Sequence, residues 1–342
     1  MSITKKYIIN GPFNIVRLTN NNKILYIMGD YHKLLNEQTE CPYNDDIESL
    51  DIDKFFLLFM KNNKNKEIDL FMESKNIEFI NTKSTKKPIY IQSVQKLFQH
   101  YIVKNKKDVM INNSYKNFRF HFSDIRNQIL NYYDIFWFFD NNIKDKNINN
   151  LNVPFLYNYL KNMIDENIKS LTDNLIIYKI LNNYSNDEIK IKINNIYNDY
   201  ILNNLDYVLL KINQLIKDYF QLTEVLIMRE LYIIDYLCKD IYLCITDLFF
   251  IRRFLDKNYI KNCILYTGDA HLTNIMYLLV KYFNFEITHI YNFRNVKKIN
   301  KFILNYKLKN LSHIYDITNL LEINYLNIIQ CSNLFDFPDN FD

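Results

Sequence analysis

Two copies of one tetrapeptide pattern contain the histidines best suited to chemistry in this chain. The copies are Gly29–His32 (GDYH) and Gly268–His271 (GDAH), and each follows a strand-like apolar run, KILYIM or NCILYT. Glycine at the end of a strand permits a sharp turn, and the rim of an open α/β sheet is where ligands bind. The pattern therefore predicts that both histidines line a site. The alternative is that each glycine only ends a strand and each histidine only caps the next helix.

Glycine is so rare in this chain that its position is stronger evidence of a structural need than in an average protein. The chain has 342 residues but only Gly 3 and a single alanine, Ala270, beside Tyr 28 and Phe 25. An average chain of this length has about 24 glycines. Tyr, Phe, Asn, Ile and Lys have AT-rich codons, which indicates an AT-rich genome such as that of a protist, a low-GC bacterium or a large DNA virus. A glycine retained against this bias is expected where no other residue fits.

A carboxylate completes the candidate site. Glu73 ends the apolar run EIDLFM, a position where a carboxylate needs a partner. His32, Glu73 and His271 together would bind Mn²⁺, Zn²⁺ or Fe²⁺ through nitrogen and oxygen. Without a metal, His32 or His271 would activate water as a general base, oriented by Glu73 or Asp30.

One arginine and two further acids follow other strand-like runs. Arg126 is one of seven arginines, and its planar guanidinium would hold a substrate carboxylate or stabilise an oxyanion. A surface salt bridge with Asp124 is the alternative for Arg126. Asp30, Asp124 and Asp269 are secondary candidates for the site.

Strand and helix patterns place these residues in an α/β fold. Period-two or continuous apolar runs predict strands, and the six segments are 13–19, 23–28, 67–72, 118–122, 262–267 and 286–291. From residue 153 to about 255 helical periodicity dominates. The sequence predicts a central mixed, mostly parallel sheet flanked by helices, with a large all-helical insertion. The expected limits are 1–140 and 256–342 for the two parts of the α/β domain, and 141–255 for the insertion.

Charge and cysteine usage exclude several classes of protein. The net charge of +4 is small and its charges are spread, so we expect no nucleic-acid partner. The five cysteines show no C-x-x-C spacing and are expected to be reduced thiols in a cytoplasmic protein. No clean apolar stretch of about 18 residues occurs, so we expect no membrane span. No phosphate-binding glycine loop and no H-E-x-x-H motif is present.

The order of these motifs resembles the erythromycin esterase / ChaN / TraB / Tiki superfamily. The matching elements are Gly29–His32, Glu73, Arg126 and Gly268–His271, and the resemblance covers roughly 13–126 and 262–292. It implies an α/β fold with a shared polar crevice, in a family that includes antibiotic esterases, metal-dependent proteases and haem-binding lipoproteins. Many members have Glu after the first glycine, where this chain has the shorter Asp30.

These observations favour a hydrolase that cleaves an ester or amide bond of a small molecule or peptide, with or without a divalent metal. His32, Glu73, Arg126 and His271 are the expected catalytic residues. Two alternatives remain open: a binding module that holds a metal or haem without turnover, and a catalytically silent interaction protein.

Overall fold

The computed structural model describes residues 7–20, 22–32, 41, 47–73, 90–103, 110–112, 116–125, 158, 162, 175–218, 221–306, 313–321 and 329–338. The chain divides into two compact units. The α/β unit comprises Met1–Asp124, Lys257–Leu308 and Ser312–Asp342, and the helical unit comprises Ile125–Asp256 with Lys309–Leu311. The boundary expected at residue 140 lies outside the described residues and stays a prediction.

The strands described in the α/β unit are, in chain order, β1 (Tyr7–Asn10), β2 (Pro12–Asn20), β3 (Lys23–Asp30), β4 (Glu48–Asp51), β5 (Ile68–Met72), β6 (Ile102–Val103), β7 (Met110–Asn112), β8 (Phe118–Phe122), β9 (Asn262–Gly268), β10 (Glu286–Ile290) and β11 (Cys331–Asn333). The helices described along the chain are α1 (Ile52–Asn62), α2 (Tyr90–Tyr101), α3 (Leu175–Asn182), α4 (Asp187–Ile196), a π-helical segment (Tyr197–Leu202), α5 (Asn203–Asp218), α6 (Glu224–Asp256), α7 (Asp269–Phe283), α8 (Val296–Asn305) and α9 (His313–Leu320).

A mixed eight-stranded sheet organises the α/β unit, in the order β10-β2-β3-β9-β5-β8-β7-β6. The four central strands β3, β9, β5 and β8 run parallel, whereas the strands outside them pair antiparallel. The α/β class expected from the sequence is confirmed. The central strands β3 and β9 are nearly continuous apolar runs because both faces of a parallel sheet are covered, whereas Arg119 and His121 interrupt β8.

Helix α1 covers one face of this sheet. Its buried side chains Phe55, Phe56, Phe59 and Met60 recur at helical spacing and pack in one hydrophobic core with strand residues such as Tyr266. Asp51 precedes the helix as its N-cap residue, although its side chain makes no capping hydrogen bond. Helix α2 contributes Ile91 and Val94 to the same core.

Helix α7 covers the opposite face. Met28 belongs to the core beneath α1, so the next residue, Gly29, faces the other side of the sheet. A side chain at Gly29 would meet Leu272 of α7, which identifies the helix on that side. The connection from β9 to α7 is immediate, because Gly268 ends the strand and is also the N-cap residue of the helix.

A small second sheet, β11-β1-β4, was not expected from the sequence. It contains Cys331, which forms a disulfide with Cys41 across a separation of 290 residues. The expectation of reduced thiols is therefore wrong for this pair. The fold brings the two Cα atoms to 5.4 Å, within bridging range, whereas no local spacing in the sequence marks the pair. Cys238, Cys244 and Cys263 are free and buried.

The helical unit is held by the ends of its helices as well as by their apolar faces. The carboxylate of Asp256, at the end of α6, accepts hydrogen bonds from the backbone N–H groups of Ser185 and Asn186 at the start of α4. Arg252 of α6 donates to the carbonyl oxygen of Asn183. The regular elements described between 175 and 256 are all helical. No helix in the described parts of the chain is both long and apolar enough to cross a membrane.

Candidate functional site

Three adjacent strands bring the candidate residues to one edge of the large sheet. Strand β9 lies between β3 and β5, parallel to both. Asp30 is level with Gly268 in the β3–β9 register, and Glu73 follows Met72, which is level with Tyr266. Because parallel strands end at the same side, both GDxH segments and Glu73 meet at the carboxyl edge, as the sequence predicts.

The carboxylate of Glu73 lies between the two histidines. Its Oε1 is 3.4 Å from Nε2 of His271, and its Oε2 is 3.6 Å from Nε2 of His32. Oε2 also accepts hydrogen bonds from the Gly268 backbone N–H at 2.7 Å and from the Thr267 hydroxyl at 3.0 Å. Glu73 is thus fixed by β9 at the point where the second motif begins.

These contacts keep Glu73 ionised. Burial disfavours the charged carboxylate, but the two imidazoles, His271 first, outweigh it and hold the pKa of Glu73 well below its usual range. The strand-end carboxylate has the imidazole neighbours that its position in the sequence requires.

The imidazole of His32 lies between two carboxylates at the carboxyl edge of the sheet. Its Nε2 faces Glu73 and its Nδ1 lies 3.8 Å from Oδ2 of Asp30. Strand alternation sends Asp30 and Glu73 to opposite faces of the sheet, so the imidazole spans the edge from one face to the other. The backbone of His32 has φ +54°, a left-handed conformation that few non-glycine residues adopt. Its side chain is 39% exposed, so a ligand can reach it.

The two carboxylates set the charge of His32. Burial opposes the imidazolium, but the nearby carboxylates of Asp30 and Glu73 outweigh this and raise the pKa of His32 to about 9. With a carboxylate oxygen near each ring nitrogen, these neighbours favour the imidazolium form.

A buried network that the sequence did not indicate holds Asp30. Its Oδ2 accepts a hydrogen bond of 2.8 Å from the Tyr266 hydroxyl, and its Oδ1 accepts one from the Gln330 carboxamide. Oδ1 also accepts the backbone N–H of His32 at 2.8 Å. Asp30 therefore joins a core tyrosine and the C-terminal segment to the left-handed turn at His32.

The other expected residues have different outcomes. Asp124 is buried just beyond β8, one residue past the position level with Glu73. Asp269 is the first residue of α7, and its Oδ1 would be 3.6 Å from a Cβ on Gly29. Arg126 lies outside the described residues, so its role stays a prediction.

A second buried charge cluster lies at the opposite end of β5. Asp69 accepts two hydrogen bonds from the Arg119 guanidinium, at 2.8 and 2.6 Å, and lies 2.7 Å from Nε2 of His121. His121 also stacks on Phe71, with ring centroids 4.3 Å apart. Asp69 precedes Glu73 by four strand residues, about 13 Å, so the cluster joins β5 to β8 away from the carboxyl edge of the sheet.

Metal binding gains no support from the arrangement of these side chains. Within the part of the chain that the structure describes, no group of three or more His, Cys, Asp or Glu side chains is arranged to hold a metal ion. Each imidazole instead faces a different oxygen of Glu73, and one oxygen is already bonded to Gly268 and Thr267. The expectation of Mn²⁺, Zn²⁺ or Fe²⁺ stays a prediction.

Gly268 fits this site because it has no side chain. A Cβ there would lie 3.1 Å from Nε2 of His32 and 3.3 Å from Oε2 of Glu73. Its φ of −65° is ordinary, so close approach and not backbone conformation requires the glycine. At Gly29 the Cβ would lie 2.9 Å from a methyl group of Leu272.

Comparison with known proteins places the chain among viral relatives. It is 28% identical to the uncharacterized protein R161 of Acanthamoeba polyphaga mimivirus, over 97% of this chain and 98% of the relative. It is also 28% identical to the uncharacterized protein R706 of the same virus, over 97% and 96% of the two chains. No solved structure matches the chain. One family model matches residues 7–175 and 223–342, and the chain therefore belongs to the DUF5847 family, a family of unknown function.

Proposed function

We propose that the chain is a hydrolase of ester or amide bonds whose centre is His32, Glu73 and His271. One observation carries the proposal: the Glu73 carboxylate is buried between the two histidines of the duplicated motif, at the carboxyl edge of a parallel sheet. The resemblance to the erythromycin esterase / ChaN / TraB / Tiki superfamily supports the same chemistry. The substrate is a small molecule or a peptide.

In this proposal His271 is the general base. Glu73 accepts the Nε2 proton of His271, which places the basic lone pair on Nδ1. The imidazole removes a proton from water as the water oxygen attacks the substrate carbonyl, and it later returns that proton to the leaving group. Glu73 orients the ring and stabilises the imidazolium that forms, as the acid of a catalytic triad does.

His32 supplies the positive charge. Because carboxylate oxygens of Asp30 and Glu73 flank its two nitrogens, the ring is held as a cation at the exposed side of the edge. A fixed cation next to the reacting carbonyl stabilises the oxyanion that develops on its oxygen. Arg126 is the second proposed donor to that oxyanion.

The metal-dependent form of the proposal assigns the same three residues as ligands. A divalent ion would supply Lewis acidity and a more acidic bound water. Because each imidazole faces its own oxygen of Glu73, the metal-free form agrees better with the contacts.

The test is a panel of chromogenic esters and amides, assayed with EDTA and with added Mn²⁺, Zn²⁺ or Fe²⁺. We expect hydrolysis that survives EDTA and falls at least 100-fold in His271→Ala. His289→Ala is the matched control, because this half-buried histidine lies in β10 and contacts Thr288 and Phe337. Hydrolysis that EDTA abolishes and an added ion restores would replace the metal-free form with the metal-dependent one. No hydrolysis under any of these conditions would contradict the proposal.

A further inference from the structure

The residue before β11 reaches into the candidate site. Gln330 is fully buried, and its Nε2 donates hydrogen bonds to Oδ1 of Asp30 and, at 3.2 Å, to the carbonyl oxygen of Gly11. The Gly11 N–H in turn donates to the Gln330 carbonyl oxygen at 3.0 Å. Both partners of Nε2 are acceptors, so the position requires a side chain with two N–H donors.

Through Asp30 this contact bears on His32. The oxygen that accepts from Gln330 also accepts the His32 backbone N–H, at 2.8 Å. His32 has a left-handed backbone, a strained conformation that persists only where the surroundings hold it. Gln330 holds the carboxylate that fixes it.

A disulfide holds Gln330 in turn. The next residue, Cys331, is bonded to Cys41 and pairs with Asn10 in the β1–β11 ladder. The Cys41 N–H donates to the side chain of Asn10 at 3.2 Å, so both cysteines are attached to β1. Cys331 is partly exposed, whereas the three free thiols are buried. Cys41 is buried, so a reductant would approach the bond from the side of Cys331.

We propose that Gln330 is a positioning residue for His32 and that the Cys41–Cys331 disulfide is a redox-sensitive clamp that keeps it in place. The step is thiol–disulfide exchange with a dithiol: two electrons and two protons pass to the cystine, which becomes two thiols, and the dithiol becomes a disulfide. Reduction releases the segment at Gln330, and His32 leaves its left-handed conformation. The claim that reduction regulates turnover rests on the proposed function. The claim that reduction changes the backbone of His32 does not depend on that function.

The test is amide hydrogen exchange in the full chain after selective ¹⁵N-histidine labelling. The chain has six histidines, so six amide signals are followed, and His32→Gln identifies the signal of residue 32. His121, inside β8, is the internal reference. The samples are the oxidised protein, the protein reduced with dithiothreitol, Cys331→Ser, Gln330→Met and the control Cys238→Ala.

We expect exchange at His32 to accelerate at least tenfold on reduction, in Cys331→Ser and in Gln330→Met, with His121 unchanged. Cys238→Ala, oxidised, should match the wild type. Unchanged exchange at His32 in a protein shown by thiol titration to be reduced would overturn the clamp. Unchanged exchange in Gln330→Met would overturn the positioning role, and equal acceleration at His121 would overturn both. The hydrogen-exchange experiment uses no substrate, so it tests the clamp even if the hydrolase proposal is wrong.

Discussion

At the residue scale, the imidazole of His32 has a different pKa in the folded protein than in the unfolded chain. Its pKa is raised from 6.5 to about 9, so its stabilising contribution is complete below pH 6.5 and is lost as the pH rises through 9. We expect the stability difference between wild type and His32→Gln to shrink across this window. Urea unfolding at pH 6, 7.5 and 9.5 measures it. A difference that stays constant would mean that His32 is not paired with Asp30 and Glu73.

A substitution at Gly268 is expected to affect activity, whereas the same substitution at Gly29 is expected to affect stability. Its Cβ would press on His32 and Glu73, so Gly268→Ala is expected to lower hydrolysis at least tenfold. Gly29→Ala is the matched comparison. A Cβ added there would meet a methyl group of Leu272, and overpacking of this kind costs about 1–3 kcal/mol of stability. Assays and thermal melts of both variants test the distinction. If Gly268→Ala retains full activity, the close approach at this position has no functional meaning.

Single residues could be predicted from the sequence where a local pattern marks them. Glu73 ends an apolar strand, and both histidines follow a glycine in a chain with three glycines. No local sequence pattern distinguishes Gln330 or Tyr266. Their contacts with Asp30 span 300 and 236 residues, and one glutamine or tyrosine among many has no distinguishing context.

At the scale of elements, the joint between β5 and β8 is held by a buried ion cluster. Asp69→Asn removes the charge that pairs with Arg119 and His121, and breaking a buried pair costs about 3–5 kcal/mol. Glu67→Gln is the control: this exposed carboxylate contacts the same guanidinium at 3.3 Å, and its loss should cost less than about 1 kcal/mol. Urea unfolding of both variants measures the difference. Equal losses would contradict the structural role of the buried pair.

Strand and helix patterns predicted the centre of the sheet better than its margins. The parallel strands β5 and β9 are mostly apolar, with Asp69 the one charge inside β5, and both were expected within one residue of their observed limits. The short margin strands β6 and β7 were missed, as were β1, β4 and β11 of the second sheet. Segments of two to four residues are too short for a period to appear.

At the scale of the whole molecule, the disulfide closes a loop of nearly the full chain. Cys41 and Cys331 are 290 residues apart, and a cross-link of this length stabilises a fold by about 2–5 kcal/mol. We expect reduction to lower the melting temperature by several degrees. Melts of the wild type with and without dithiothreitol measure the effect, and Cys41→Ser without reductant should resemble the reduced wild type. Identical melting curves in all three samples would contradict it.

In the proposed hydrolase, Glu73 and His271 act as one catalytic unit. The most direct measurement is the hydrolytic rate of wild type, Glu73→Gln, His271→Ala and the double variant, on whichever ester or amide the panel identifies. Residues that act as a unit are not additive, so the double variant should lose no more activity than the more damaging single variant. Single losses that multiply in the double variant would show that the two side chains act independently, and would contradict the claim.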